Sequence, residues 1–164
     1  MLRLAQSLIL LLVLLALPAL AQDVQIRFGQ SLRLDGSPLE VTADSLTVDQ
    51  TTGASEFSGN VLAVQGEMRI SSASLRLEYA PATETGSQRI SRIVASGGVL
   101  MATAAEAIES REAVYSLIEQ TLEMTGEVML VQGANMLSGE RFVADLRTGS
   151  GRMIGRVRTI IRME

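Results

Sequence analysis

Two groups of side chains in this sequence could do chemistry. Asp44, Asp49, Glu56 and Glu78 lie within one short stretch, and a pair of carboxylates held a few ångströms apart can split a glycosidic bond. Arg147, Arg152, Arg156, Arg158 and Arg162 form a run with no acidic residue before Glu164, and the guanidinium fork matches the oxygens of a phosphate. Each group also has a plain structural reading. The carboxylates fall in alternating stretches, as the solvated outward side chains of a strand do, and they form no convergent acidic motif. Arginines along a terminal strand keep it from pairing with the wrong neighbour.

Composition removes most other chemistry. The 164 residues include no His and no Cys, and all 14 cations are Arg. There is therefore no Ser-His-Asp triad, no thiol nucleophile, no zinc site of ordinary ligands and no disulfide framework. Without Lys there is no Schiff-base amine and no phosphate-loop lysine. No metal and no cofactor is expected, and the chain is not expected to be an enzyme. A net charge of −4 provides no dense basic surface for nucleic acid. An apolar fraction of 47% is enough for the core of one domain. Aromatic residues make up only 3%, few for a packed β domain.

The first residues read as a targeting segment. Arg3 precedes an unbroken apolar run from Leu8 to Leu17, and Pro18-Ala19-Leu20-Ala21 supplies an A-x-A site. This is the pattern of a cleavable signal peptide spanning residues 1–21, leaving residues 22–164 as a single exported domain. The other reading is a retained anchor. The apolar run of 13 residues to Leu20 is short of the roughly 20 that cross a bilayer, and Pro18 interrupts it. An exported domain without Cys has to hold together by burial alone.

From residue 23 onward apolar and polar residues alternate, the period of a half-buried strand. Val24-Gln25-Ile26-Arg27-Phe28, Leu39-Glu40-Val41-Thr42 and Leu75-Arg76-Leu77-Glu78-Tyr79 show it, as does Phe142-Val143-Ala144-Asp145-Leu146. Turn residues separate the runs at Asp35-Gly36-Ser37-Pro38, Thr51-Thr52-Gly53, Thr85-Gly86-Ser87, Ser138-Gly139 and Thr148-Gly149-Ser150-Gly151. Residues 103–122 are rich in Ala and Glu and have helical propensity. Their apolar positions form no clean helical stripe, so they too are expected to be strand.

The strands repeat. Gly-x-Val occurs at Gly59, Gly97, Gly126 and Gly155, at spacings of 38, 29 and 29 residues. Gly59-Asn60-Val61-Leu62-Ala63-Val64-Gln65-Gly66 aligns with Gly126-Glu127-Val128-Met129-Leu130-Val131-Gln132-Gly133, and the same shift of 67 residues carries Leu75 onto Phe142 and Val48 onto Tyr115. Repeated strand-turn-strand units imply stacked hairpins with one continuous core. The Gly is expected at a bulge or corner.

This pattern resembles the LptA/OstA family. The residues that carry it are Leu39-Glu40-Val41-Thr42-Ala43-Asp44-Ser45-Leu46, Phe57-Ser58-Gly59-Asn60-Val61 with Val64-Gln65-Gly66, Ser72-Ala73-Ser74-Leu75-Arg76-Leu77-Glu78-Tyr79, and Met124-Thr125-Gly126-Glu127-Val128 through Val131-Gln132-Gly133. The resemblance covers roughly residues 37–160 and implies an all-β, V-shaped β-jellyroll open at its ends. It implies a periplasmic carrier that takes the lipid A part of lipopolysaccharide in an apolar groove. Its implied partners are an inner-membrane-anchored protein of the same fold, an outer-membrane assembly protein and further copies stacked head to tail. Relatives that keep the N-terminal helix as an anchor, or continue into a long barrel, fit less well than the soluble carrier.

The residues expected to line that groove are Val41, Leu46 and Val48, then Phe57, Val61 and Ala63, then Met68, Ile70, Leu75 and Leu77. Further along they are Val99 and Met101, then Leu122, Met124, Val128 and Leu130, and finally Phe142 and Ala144. Small residues such as Ala43, Ala73, Ala95 and Ala107 are expected inward, leaving room between the sheets, and Met68, Met101, Met124 and Met136 supply adaptable surface. Such residues could equally fill a narrow core. Arg156 and Arg158 are the candidates for a head-group phosphate. Because each buried CH₂ gains about 0.8 kcal/mol, a carrier should cover only part of each chain and need no single anchor residue. Residues 24–34 and 154–161 are the expected edge strands for stacking. The competing reading is an exported structural or adhesin-like β module with a sealed core.

Overall fold

The computed structural model describes residues 37–81 and 89–162. The segment 1–21 and the expected edge strand 24–34 lie outside the described residues. Among the described residues every regular element is a strand: β1 (Glu40–Thr42), β2 (Ser45–Val48), β3 (Ser55–Gln65), β4 (Met68–Tyr79), β5 (Ile90–Ala102), β6 (Glu106–Ser116), β7 (Thr121–Gln132), β8 (Asn135–Asp145), β9 (Ser150–Ile154) and β10 (Arg158–Ile160). The Ala- and Glu-rich stretch forms β6 and the start of β7. Its inward residues Ile108, Ala113 and Tyr115 are buried while Glu109 and Glu112 face water, so packing with period two overrides helical propensity.

All ten strands belong to one antiparallel sheet in the order β1-β3-β4-β5-β6-β7-β8-β10. β2 pairs with β3 and β9 with β8, so each side edge is made of two short strands. The 67-residue repeat is the hairpin β3–β4 and its copy β7–β8. Gln65 pairs with Met68 and Gln132 with Asn135, while Phe57 pairs with Leu75 and Met124 with Phe142.

Each long strand is broken in its middle, and β4 has a further irregularity near its end, between Glu78 and Tyr79. The central register shifts lie between Ser58 and Val61, Ser71 and Ser74, Ser96 and Val99, Glu109 and Glu112, and Thr125 and Val128. These breaks form one row across the sheet. The four Gly-x-Val glycines stand on it with φ of 79°, 81°, 84° and 79°, each followed by a second left-handed residue (Asn60, Gly98, Glu127 and Arg156). At Gly97 the demand for glycine is also steric, since a Cβ there would lie 2.6 Å from the Cβ of Ala73 on β4.

The row divides the sheet into two arms. One holds β2, β9 and the adjoining halves of β3–β8; the other holds β1, β10 and the remaining halves. Leu75, Leu122 and Met124 of the first arm and Ile108, Leu130 and Met101 of the second belong to one buried cluster. A single open layer leaves one face of each arm wet, so this burial means the arms fold against each other as the two layers of a jellyroll. Among the described residues the sheet does not close, because β1/β2 and β9/β10 are not paired with each other.

Candidate functional site

The interior is built from rows of cross-strand neighbours. In the first arm one row runs Leu46, Phe57, Leu75, Ala95, Ala113, Met124, Phe142, Met153. In the second arm the matching row runs Val41, Ala63, Ile70, Met101, Ile108, Leu130, Leu137, and ends on Thr159. The first row is apolar from one side of the sheet to the other, because every strand keeps the same phase of alternation across its pairings.

Burial along these rows is uneven. Leu75, Ile108, Leu122, Met124 and Leu130 are completely enclosed. Toward the edges the cover thins: Phe57, Val41 and Met153 are half-buried, and Leu46 and Val48 on β2 are each 54% exposed. Of the groove residues expected from the sequence, Val61, Ala63, Met68, Ile70, Leu75, Leu77, Val99, Met101, Leu122, Met124, Val128, Leu130, Phe142 and Ala144 are buried in the common core. Leu46 and Val48 reach solvent because β2 has no outer neighbour among the described strands. The centre of the interior is therefore filled by the protein's own side chains, and the apolar strip reaches water at its sides.

Several expected inward positions face outward instead. Ala73 is exposed at the corner of β4, Ala107 lies on the outer face beside Ala102 and Val131, and Met136 is exposed next to Ile160. The corner offset shifts the phase at Ala73, while Ala107 and Met136 fall on the opposite phase to Ile108 and Leu137. A reading from residue type alone does not fix that phase. Residues that sequence reasoning missed include Tyr115, Leu137 and Leu146, all buried inward. The shift of 67 residues was the signal for Tyr115 and Leu137, since it maps them onto Val48 and Ile70.

The carboxylates do not converge. Asp44 accepts a 2.8 Å hydrogen bond from Asn60 at a corner. Asp49 closes a turn by accepting from the backbone N–H groups of Thr51 and Thr52 at 2.8 and 3.2 Å, and these bonds hold its carboxyl below the ordinary range. Glu56 and Glu78 face outward, 3.7 and 3.5 Å from Arg76. Among the described residues no cluster of acidic side chains could hold a metal ion. Of the arginines, Arg156 bonds Glu140 at 2.9 Å and remains largely exposed, and Arg158 stands on β10 opposite Ser138.

The corners carry polar clamps. Asp44 meets Asn60, Arg111 meets Glu127 at 2.8 Å, and Glu140 meets Arg156 at 2.9 Å. The bond from Arg111 lowers the pKa of the Glu127 carboxyl, and the bond from Arg141 does the same for Glu123. On β4 and β6 the bends are also braced by buried serines, Ser72 donating to the Ser74 carbonyl and Ser110 to that of Glu112, both at 2.9 Å.

Comparison with known proteins places this architecture. In fold the chain is similar to LptH from Pseudomonas aeruginosa, described as the LptA homologous periplasmic component of the conserved lipopolysaccharide transport device. The TM-score is 0.68 at 15% identity, covering 77% of this chain and 96% of that one. In sequence it is 27% identical to an uncharacterized protein of Rhizobium meliloti (strain 1021) over 145 residues, 85% of this chain and 77% of the relative. Residues 40–150, which hold both copies of the repeated hairpin and the corner row as far as Gly126, match the model of the LptA/(LptD N-terminal domain) LPS transport protein family. That match spans more than half of the sequence, and the chain belongs to this family.

Proposed function

We propose that this protein is a periplasmic carrier of lipopolysaccharide that takes the acyl chains of lipid A between its two arms, after removal of residues 1–21. The observation that supports this best is the row from Leu46 to Met153. It is apolar at every strand and half-open at both sides. A core that served stability alone would be expected to end under polar or covered residues at the sheet edges. Partial cover also suits transfer, since each CH₂ left in contact with protein adds about 0.8 kcal/mol to what must be released.

In this reading residues 22–164 act as one domain. Lipopolysaccharide arrives from an inner-membrane-anchored partner of the same fold and leaves toward an outer-membrane assembly protein. The open edges stack copies head to tail by strand addition. Arg156 and Arg158 are exposed beside one edge, where a head-group phosphate can meet their guanidinium groups. The filled centre agrees with the sealed-module reading, but membership of a lipopolysaccharide transport family favours the carrier.

Photo-crosslinking tests it. Probes at Leu46, Val61 and Leu77 should label added lipopolysaccharide, and probes at the outward Arg76 and Glu78 should not. Equal labelling from the two faces would overturn the assignment.

A further inference from the structure

The centre of the interior is full, so hydrocarbon can enter it only if the arms separate. The row of corners is where they join. Along this row the corners are not equal. Three are tied by side chains, Asp44 to Asn60, Arg111 to Glu127 and Glu140 to Arg156. At the fourth, on β5, the position occupied elsewhere by Asn60, Glu127 or Arg156 is Gly98, and the residue opposite is Ala73. A side chain at Gly98 would meet nothing within 4 Å. Outside this corner lies an open hollow of about 710 Å³, bordered by Leu62, Ser71, Ala73, Gly98 and Leu100. The neighbouring strands β4 and β6 are each braced by a buried serine, whereas β5 has two consecutive glycines at its bend. Two glycines in the left-handed region have more freedom than any other pair, and the hollow lets their backbone shift outward without displacing packed side chains.

We infer that the corner row is a hinge, with the bare Gly97–Gly98 corner as its compliant point and the three polar clamps as the springs that return it. This rests on the carrier reading above and adds to it how the slot opens. The same repeat that supplies a clamp at the other corners withholds one in mid-sheet, beside the enclosed Leu75 and Met101.

The test is to install the missing clamp. Ala73→Arg with Gly98→Glu copies the Arg111–Glu127 corner. The chain has no cysteine, so spin labels can be placed through Arg92→Cys and Leu100→Cys, exposed outer positions of β5 on either side of the corner. In the protein without the clamp, adding lipopolysaccharide should lengthen and broaden the label-to-label distance. In the clamped variant the distance should stay fixed and lipopolysaccharide capture should fall about tenfold, as when the binding-competent state is made rarer by that factor. Should the double variant fail to fold, the reverse change decides the matter: Glu127→Gln, which loosens a clamp, should raise capture. The hinge is overturned if the clamped variant captures lipopolysaccharide and changes distance as the unclamped protein does, or if Glu127→Gln leaves capture unchanged. If the unclamped protein captures no lipopolysaccharide even at a Leu46 probe, the carrier reading itself fails.

Discussion

Leu75 and Leu46 are the same residue type on the same inward row, separated only by Phe57 on β3. Leu75 is fully enclosed, whereas Leu46 is 54% exposed. Nothing in their local sequence differs enough to produce this. Leu75 lies five strand positions from the sheet's far edge and has neighbours on both sides, while β2 has a neighbour on one side only among the described strands. The comparison teaches that the apolar interior has two regions with different duties. The strands from β4 to β8 hold the arms together. The strips at β2–β3 and β9 offer oily surface that the fold itself leaves partly uncovered.

The largest expected effect follows from that contrast. Leu75→Ala should cost about 2–5 kcal/mol of stability, the range for emptying an enclosed leucine site. Leu46→Ala should cost about 0.5 kcal/mol or less, as for an ordinary surface change. Urea unfolding of both variants measures the difference. Equal losses would break the comparison, because Leu46 would then be as well covered as Leu75.

A second contrast, between adjacent glycines, is smaller. Gly98→Ala asks a residue with a Cβ to stay left-handed, at a cost of about 1–2 kcal/mol, but meets no neighbour. Gly97→Ala adds a collision with the Ala73 Cβ at 2.6 Å and should be clearly the more destabilising. Urea midpoints again read the difference. A reversed order would mean that Gly97 does not lie as close to Ala73 as the structure has it.

Much of the fold was legible in the residues. Alternation at Leu75–Tyr79 and turn signals such as Thr51-Thr52-Gly53 report the period and the breaks directly. The Gly-x-Val units also announced the corners, since a left-handed φ next to a close strand leaves few residues other than glycine. The site was less legible. Ala73, Ala107 and Met136 were expected inward and face outward, because type alone does not say which phase of a strand meets the core, and on β4 one extra residue at the corner resets that phase midway. Exposure at Leu46 and Val48 was equally hidden. It depends on β2 being the outermost strand on its side among those described, a property of the whole sheet and not of residues 45–48. That the centre is filled depends on how closely the arms approach, which no local pattern encodes.

The smallest expected effect concerns the outer face over the enclosed centre. Glu123 on β7 accepts a 2.7 Å hydrogen bond from Arg141 on β8, and this bond, ahead of the Coulomb attraction, sets its carboxyl below the ordinary glutamate value of 4.5. A carboxyl lowered in the folded state binds protons more readily when unfolded. Its contribution is therefore complete above the unfolded value and is lost as pH falls through the folded one. Both side chains are partly exposed, 41% for Glu123 and 47% for Arg141, so solvent screening keeps the pair's worth near that of a surface ion pair. Glu123→Gln should lower the melting temperature by about 1–3 °C near neutral pH and by less near pH 3. A loss that stayed the same at both pH values would show that the glutamate acts there through packing and not through its charge. The centre would then owe its stability to the buried rows alone.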